Sequence, residues 1–357
     1  MTPLPGFLAF LSPRFYFLFI SFLVAILCSW LAIWLARKLH LIDVPNSLPH
    51  KQHARPTPIA GGIALFLSML VLSLFLGTWS DGTLSTVFIA TGIIFVFGLL
   101  DDRFGLSAPQ KLFGQGMAVA FVLLRGVSVR FLESPEFYFG GPMWLYQVGD
   151  WFITAFWLIG IINAFNLVDS MDGLAVGLAS NSLVFLLIGT SITSQSVLNL
   201  HMLSTLGICL GILFFNMKPA RLFLGDSGAQ PLGALLALFS ILYNPVGNLQ
   251  ASTWFFPILV LGIPIFDTTL VVYSRTRRRK PFYKSNLDHT YHRLVKAGLS
   301  PVQSVLLIHS ASVILGIAAF VALHSSALLA NLIFLACILL GIILLYIFDH
   351  SKRLSPA

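Results

Sequence analysis

The chain has 357 residues, of which 57% are hydrophobic and only 10% charged, and its formal net charge is +8. A soluble domain carries about 25% charged residues, so an ordinary soluble protein is excluded. The apolar residues form continuous runs without strict alternation, which argues against a transmembrane β-barrel.

Eleven segments reach or approach the roughly 18 apolar residues of a spanning helix. They cover 15–36, 59–77, 83–100, 109–125, 151–168, 173–192, 200–216, 228–244, 252–273, 302–323 and 327–348. The first is too long for the apolar part of a signal peptide. Its basic flank, Arg37-Lys38, follows it, and no small-residue cleavage site appears, so it reads as a retained helix. The fourth is the weakest, because Gly114, Gln115 and Gly116 interrupt it. Cys28, Cys209 and Cys337 lie within apolar runs and read as buried or lipid-facing residues. No internal repeat supports an inverted-repeat transporter, and no Pro/Ser-rich linker divides the chain. The expectation is an all-α polytopic membrane protein of one domain, 1–357.

With the N-terminus outside, the inner loops and tail carry 18 of the 21 Lys and Arg residues, leaving Arg14, Arg125 and Arg130 outside. This bias predicts an N-out, C-in orientation and explains the basic charge without nucleic acid. The run Arg277-Arg278-Arg279-Lys280 reads as an anchor at anionic lipid. Four of the 13 acidic residues, Asp81, Glu133, Glu136 and Asp150, belong to the outer face. The others gather at or near the inner face, which topology does not require. They point to one polar site built from several inner loops.

The richest stretch is Asn163-Ala-Phe-Asn166-Leu-Val-Asp169-Ser-Met-Asp172-Gly173, at the end of the fifth span. Steps of three put two amides and two carboxylates on neighbouring sides of a helical turn. Such oxygen donors suit a hard cation such as Mg²⁺, with Mn²⁺ as an alternative. Asp101 and Asp102 end the third span as adjacent, mutually repelling carboxylates, which suits a general base or a metal neighbour. Capping is the plainer explanation. Lys111 follows closely enough to reach a phosphate, or to snorkel.

Asp226, in Leu222-Phe-Leu-Gly-Asp-Ser-Gly228, has glycines on both sides and opens the eighth span, where a phosphate and its metal could be held. Its plainer role is an N-cap. Asp267 lies about two turns inside the ninth span and needs a partner there. The loop after that span holds His289, His292 and Arg293, suited to phosphate oxygens; Zn²⁺ is disfavoured because no cysteine is near. His201, His309 and His324 read as structural. The first inner loop contributes Asp43, Asn46 and Thr57, with Pro and Gly shaping it. Together these motifs describe a Mg²⁺-dependent site for a polyanion, with a diphosphate the natural candidate.

On these motifs, in this order along nearly the whole chain, the sequence resembles the polyprenyl-phosphate N-acetylhexosamine-1-phosphate transferases. These are the WecA and TagO types of glycosyltransferase family 4, within the MraY superfamily. The resemblance implies transfer of a sugar-1-phosphate from a UDP-sugar to polyprenyl (undecaprenyl) phosphate, releasing UMP and initiating cell-surface polysaccharide, such as lipopolysaccharide, or cell-wall synthesis. It implies Asp226 and Asn166 as Mg²⁺ ligands, and Asp101 or Asp102 as catalytic base. Asp169 and Asp172 would shape the metal and nucleotide pocket, and Asn163 would line it. Lys111, His289, His292 and Arg293 would hold phosphates. It also implies a bacterial cytoplasmic membrane, an active site on the cytoplasmic face, and a homodimer as one assembly.

The chain departs from the family at Ser170, usually Gly; at Ile59, often Arg; and in the order His-Thr-Tyr-His, where Tyr291 argues against the MraY type. These departures leave the sugar open. The alternatives are an MraY-like phospho-MurNAc-pentapeptide transferase and, in another class, a carboxylate-lined transporter.

Overall fold

A computed structural model describes residues 5–45, 55–134, 137–191, 195–243, 255–279 and 288–351. Within them the chain is overwhelmingly helical, with six helices long and apolar enough to cross a membrane and several shorter apolar ones.

In chain order the helices are α1 (Pro5–Lys38), α2 (Gly61–Ser73), α3 (Gly82–Phe104), α4 (Ala108–Leu124), α5 (Met143–Val168), α6 (Leu174–Ser191) and α7 (Ser196–Asn216). Then come α8 (Asp226–Leu242), α9 (Phe255–Val260), α10 (Gly262–Arg277), α11 (Thr290–Lys296), α12 (Pro301–Leu323) and α13 (Ala327–His350). Each of the eleven expected segments falls on helix. The ninth is broken at Leu261 into α9 and α10. Pro264 lies in the first turn of α10 and cannot donate to the carbonyl of Val260, so the ladder is interrupted there. The short α11 follows the histidine loop.

α8 is the axis of the molecule. Its residues are buried from Ser227 to Ser240, and it packs against α3 and α5. The approach to α3 is close: a Cβ on Gly98 would lie 2.6 Å from Ser227 Cα and 2.7 Å from the Asp226 carbonyl oxygen. α1 packs on α7 across Gly207 and Gly211, one turn apart, a small-residue seam of the kind that brings membrane helices together. α13 is the most open helix, with 6% of its apolar window buried, as expected of a lipid-facing helix.

The only strands among the described residues, β1 (Ile42–Asp43) and β2 (Thr57–Pro58), pair antiparallel with Asp43 opposite Thr57. Pro58 accepts a hydrogen bond from the Phe223 N–H at 2.9 Å, and Ala60 and Gly61 donate to the Phe223 carbonyl at 3.1 and 3.0 Å. The first inner loop therefore straps the loop that leads into Asp226. Asn46 lies outside the described residues.

The expected anchor run has more specific partners. Arg277 pairs with Asp349 at 2.5 Å, and Arg278 reaches Asp288 at 3.4 Å. Cys28 and Cys209 are buried and Cys337 is half-buried, all as free thiols. His201 bonds Thr78 at 2.9 Å at the end of the bundle remote from the acidic cluster.

Candidate active site

The C-terminal ends of α3 and α5 and the N-terminal ends of α4 and α8 meet on one side of the bundle. Local sequence sets each one. α3 stops because Gly105 takes φ 68°, donating its N–H to the Asp101 carbonyl at 2.8 Å. After two residues Ser107 opens α4, with Gln110 accepting from its N–H at 2.8 Å and Pro109 in the first turn. This tight turn brings Lys111 back over the end of α3.

Lys111 Nζ bridges two carboxylates. It forms an ion pair with Asp101 Oδ2 and lies 2.8 Å from Asp226 Oδ2. Asp101 is buried, and its other oxygen accepts from the Leu106 N–H at 2.7 Å. The carboxyl groups of Asp101 and Asp226 also meet, and Asn166 hydrogen-bonds Asp226 from α5. Asp101, Lys111, Asn166 and Asp226 thus converge from four helices.

Asp102 has a different position. Its Oδ1 accepts from the Asp226 N–H at 2.8 Å and its Oδ2 from the Ser227 N–H at 3.0 Å. It caps α8 from a neighbouring helix, satisfying two N–H groups that the helix itself leaves unpaired. Gly225 precedes them with φ 69°, and a Cβ there would lie 2.7 Å from Asp102 Oδ2 and 2.3 Å from Ile59 Cγ2. Of the two carboxylates expected as base, Asp101 is the one facing Lys111 and Asp226.

Asp169 follows the end of α5. Loss of water and the charges of Asp226, Asp102 and Asp172 push its carboxyl up to about 8 from an ordinary 3.8. Asp172 accepts from the Ala220 N–H at 3.3 Å. The charges of several carboxylates thus act on Asp169. The donor set of Asp226, Asp169 and the Asn166 amide is all oxygen, which fits Mg²⁺ or Mn²⁺. Among the described residues no three acidic, histidine or cysteine side chains converge in a metal-binding geometry. The cation now between Asp101 and Asp226 is the Lys111 ammonium.

One turn deeper lies a layer that sequence reasoning missed. Gln115 donates to Gln230 Oε1 at 3.1 Å and to Asn163 Oδ1 at 3.3 Å, while Asn163 Nδ2 donates to Gln115 Oε1 at 2.8 Å. Each member lies three or four residues from a site residue of its own helix: Gln115 from Lys111, Asn163 from Asn166, Gln230 from Asp226. Asn163 takes part in this floor, where its amide also bonds the Ile159 carbonyl at 2.8 Å. In the sequence Gln115 reads only as an interruption of the fourth span. An uncharged amide between two glycines in an apolar run was the available signal.

The histidine loop borders this site. Burial and the charge of Asp172 raise the Tyr291 phenol. Asp267 does find a partner: its Oδ2 is 2.8 Å from His289 Nδ1, and its Oδ1 accepts from the Thr290 N–H at 2.7 Å. The His289 and His292 rings lie 5.9 Å apart. Arg293 is placed elsewhere. It is 1% exposed and directs its nitrogens to the Asp288 carbonyl at 2.8 Å, the Phe348 carbonyl at 2.8 Å and Ser274 Oγ at 2.6 Å. It locks α11 to α10 and α13, and each of its three guanidinium nitrogens already holds a partner within the protein. Thr57 is buried and bonds the Arg55 carbonyl at 3.0 Å, and Asp43 faces it across the β1–β2 pair. Both shape the strap beside the site.

Fold and site define a class: an all-α polytopic membrane protein whose carboxylates and amides meet at one end of its helices. Residues 84–244, which contain most of that site, match the model for glycosyl transferase family 4. The chain is 32% identical over 310 residues to the probable undecaprenyl-phosphate N-acetylglucosaminyl 1-phosphate transferase of Bacillus subtilis, covering 85% of this chain and 83% of that protein. It is 32% identical over 289 residues to the decaprenyl-phosphate N-acetylglucosaminephosphotransferase of Mycolicibacterium smegmatis, covering 72% and 70%. A phospho-N-acetylmuramoyl-pentapeptide-transferase of Oceanobacillus iheyensis is 29% identical over 299 residues, covering 77% and 88%. The chain belongs to glycosyl transferase family 4.

Proposed function

We propose that this protein transfers N-acetylglucosamine-1-phosphate from UDP-N-acetylglucosamine to a polyprenyl phosphate, releasing UMP and leaving a polyprenyl diphosphate sugar. It is a polyprenyl-phosphate sugar-1-phosphate transferase. The observation that carries this reading is the convergence of Asp101, Lys111, Asn166 and Asp226 from four helices, in a chain whose relatives are named for that transfer.

An oxygen of the lipid phosphate attacks the phosphorus bearing the sugar, and the bond from that phosphorus to the UMP oxygen breaks. Asp101 takes the proton of the lipid phosphate where one is present. Lys111, beside it, holds phosphate oxygens, with His289 and His292 on the far wall. Asp226 and Asn166 would hold Mg²⁺, which neutralises charge on the diphosphate as the bond breaks. Asp169 and Asp172 shape the nucleotide side.

The positive-inside bias supports eleven spans, N-out and C-in, in a bacterial cytoplasmic membrane with the site facing the cytoplasm, where nucleotide sugars are made. The product would initiate a cell-surface polysaccharide. A homodimer is compatible with the open face of α13.

The test is conversion of radiolabelled UDP-N-acetylglucosamine, with Mg²⁺ and undecaprenyl phosphate, into an organic-soluble lipid by membranes containing the chain. UMP should appear in equal amount. No lipid product from any UDP-N-acetylhexosamine sinks the reading. The similarity to a pentapeptide transferase makes UDP-MurNAc-pentapeptide the necessary second donor, and Tyr291 favours its rejection. A transporter would string its carboxylates through the membrane, whereas most of those of this chain cluster at one end, and the deep Asp267 is paired with His289.

A further inference from the structure

Asp267 is 2% exposed in the apolar body of α10, and both its oxygens go to the start of α11. A carboxylate at 2.8 Å from Nδ1 requires the ring proton on that nitrogen, because an ionised carboxylate only accepts. The opposite nitrogen, Nε2, makes no hydrogen bond to any described residue and is not among the sealed, unpartnered atoms. The loop is fixed on its other side by Arg293 and Asp288, which tie it to α10 and α13. Tyr291 feels the charge of Asp172, so the loop borders the carboxylate site. The result is a rigid imidazole open at one atom.

We propose that Asp267 is a positioning residue that holds His289 with Nε2 directed at a phosphate of the bound diphosphate. This rests on the transferase reading above. A carboxylate behind a histidine fixes its tautomer and ring angle and stabilises the imidazolium, whose Nε2–H donates to a phosphate oxygen. Deep burial suits the task, since no water competes for Nδ1.

Capping α11 through Thr290 is the simpler role for Asp267, and Asp267→Asn separates the two. The amide oxygen still accepts from Thr290, whereas the amide NH₂ faces Nδ1 and favours the opposite tautomer. Full-length protein with ¹⁵N-labelled histidine in nanodiscs, at alkaline pH, reads the tautomer directly. His289→Asn assigns the signal. We expect His289 to carry its proton on Nδ1 in the wild type and on Nε2 in Asp267→Asn. The same variant should lose roughly 10–100-fold in kcat/KM, by analogy with metal-ligating histidines that lose their supporting carboxylate. Combining Asp267→Asn with His289→Asn should cost no more than His289→Asn alone. An unchanged tautomer, wild-type activity in Asp267→Asn, or losses that multiply in the double variant overturns the proposal. If the wild type forms no lipid product from any donor, the transferase reading falls, while the tautomer signal still decides whether Asp267 orients His289.

Discussion

The carboxylate of Asp102 receives the main-chain N–H of Asp226 at 2.8 Å, across 124 positions of sequence. One acidic residue thereby sets the position of another. Asp226 opens α8, and its side chain points at Lys111 only because its backbone is held by α3. Removing this contact should act on stability and activity together. Asp102→Ala should cost about 1–3 kcal/mol, as expected when buried N–H groups lose a charged acceptor, and transfer should fall with it. Thermal unfolding in detergent beside the transfer assay checks this. Asp101→Asn should instead lower turnover with a smaller change in unfolding temperature. If Asp102→Ala melts as the wild type does, the cap contributes nothing.

Lys111 compensates Asp101 and Asp226 at once. Lys111→Met should reduce kcat by roughly 10²–10³-fold, the range for losing a preorganised charged donor. Arginine should restore little, because its planar fork cannot occupy the place of a compact ammonium between two carboxylates. Steady-state kinetics with varied UDP-sugar decide the point, and near-normal kcat in the methionine variant would remove Lys111 from the machinery.

The amide floor predicts a compensation experiment. Gln115→Leu leaves Asn163 and Gln230 without a shared partner, a loss of about 1–3 kcal/mol. Adding Gln230→Leu removes a stranded group and should recover part of that stability. Activity should not recover with it, since the floor fixes the registers of the helices bearing Lys111, Asn166 and Asp226. Unfolding temperature and turnover, measured on the same preparations, must therefore diverge in the double variant.

Asp169 should make cation binding depend on pH. Its carboxyl is raised to about 8, so without metal it is mostly protonated at neutral pH. In the folded state it keeps a proton that the unfolded chain releases near 3.8. Its contribution therefore makes the metal-free protein less stable as pH rises between those values. Burial favours the proton in either case, but a cation held at Asp226 would offset the carboxylate charge that also favours it. Stabilisation by Mg²⁺, read as a shift in melting temperature against EDTA, should grow with pH up to about 8. Asp169→Asn should flatten the dependence; an Mg²⁺ shift that ignores pH in the wild type would contradict it.

Much of this was legible in the residues themselves. The apolar runs fall on helices, six of them long enough to cross a membrane, because a backbone in lipid must bond internally. The acidic motifs were recognisable because a charge at the end of an apolar run needs a reason. Less legible was the division of labour within each motif. Asp101 and Asp102 are adjacent and chemically identical, yet a rotation of about 100° per helical residue turns one to Lys111 and the other to the backbone of α8. Arg293 looked like a phosphate ligand, but its surroundings on α10 and α13 are distant in sequence. Gln115 looked like a flaw in a span because its partners lie on two other helices.

Local composition and spacing thus determined that the chain is a helical membrane protein with its acids gathered at one end, since hydropathy and charge act residue by residue. Only the tertiary structure decided which carboxylate caps, which meets the lysine and which stands behind a histidine. Those roles depend on direction and distance between helices, and a one-dimensional pattern carries neither.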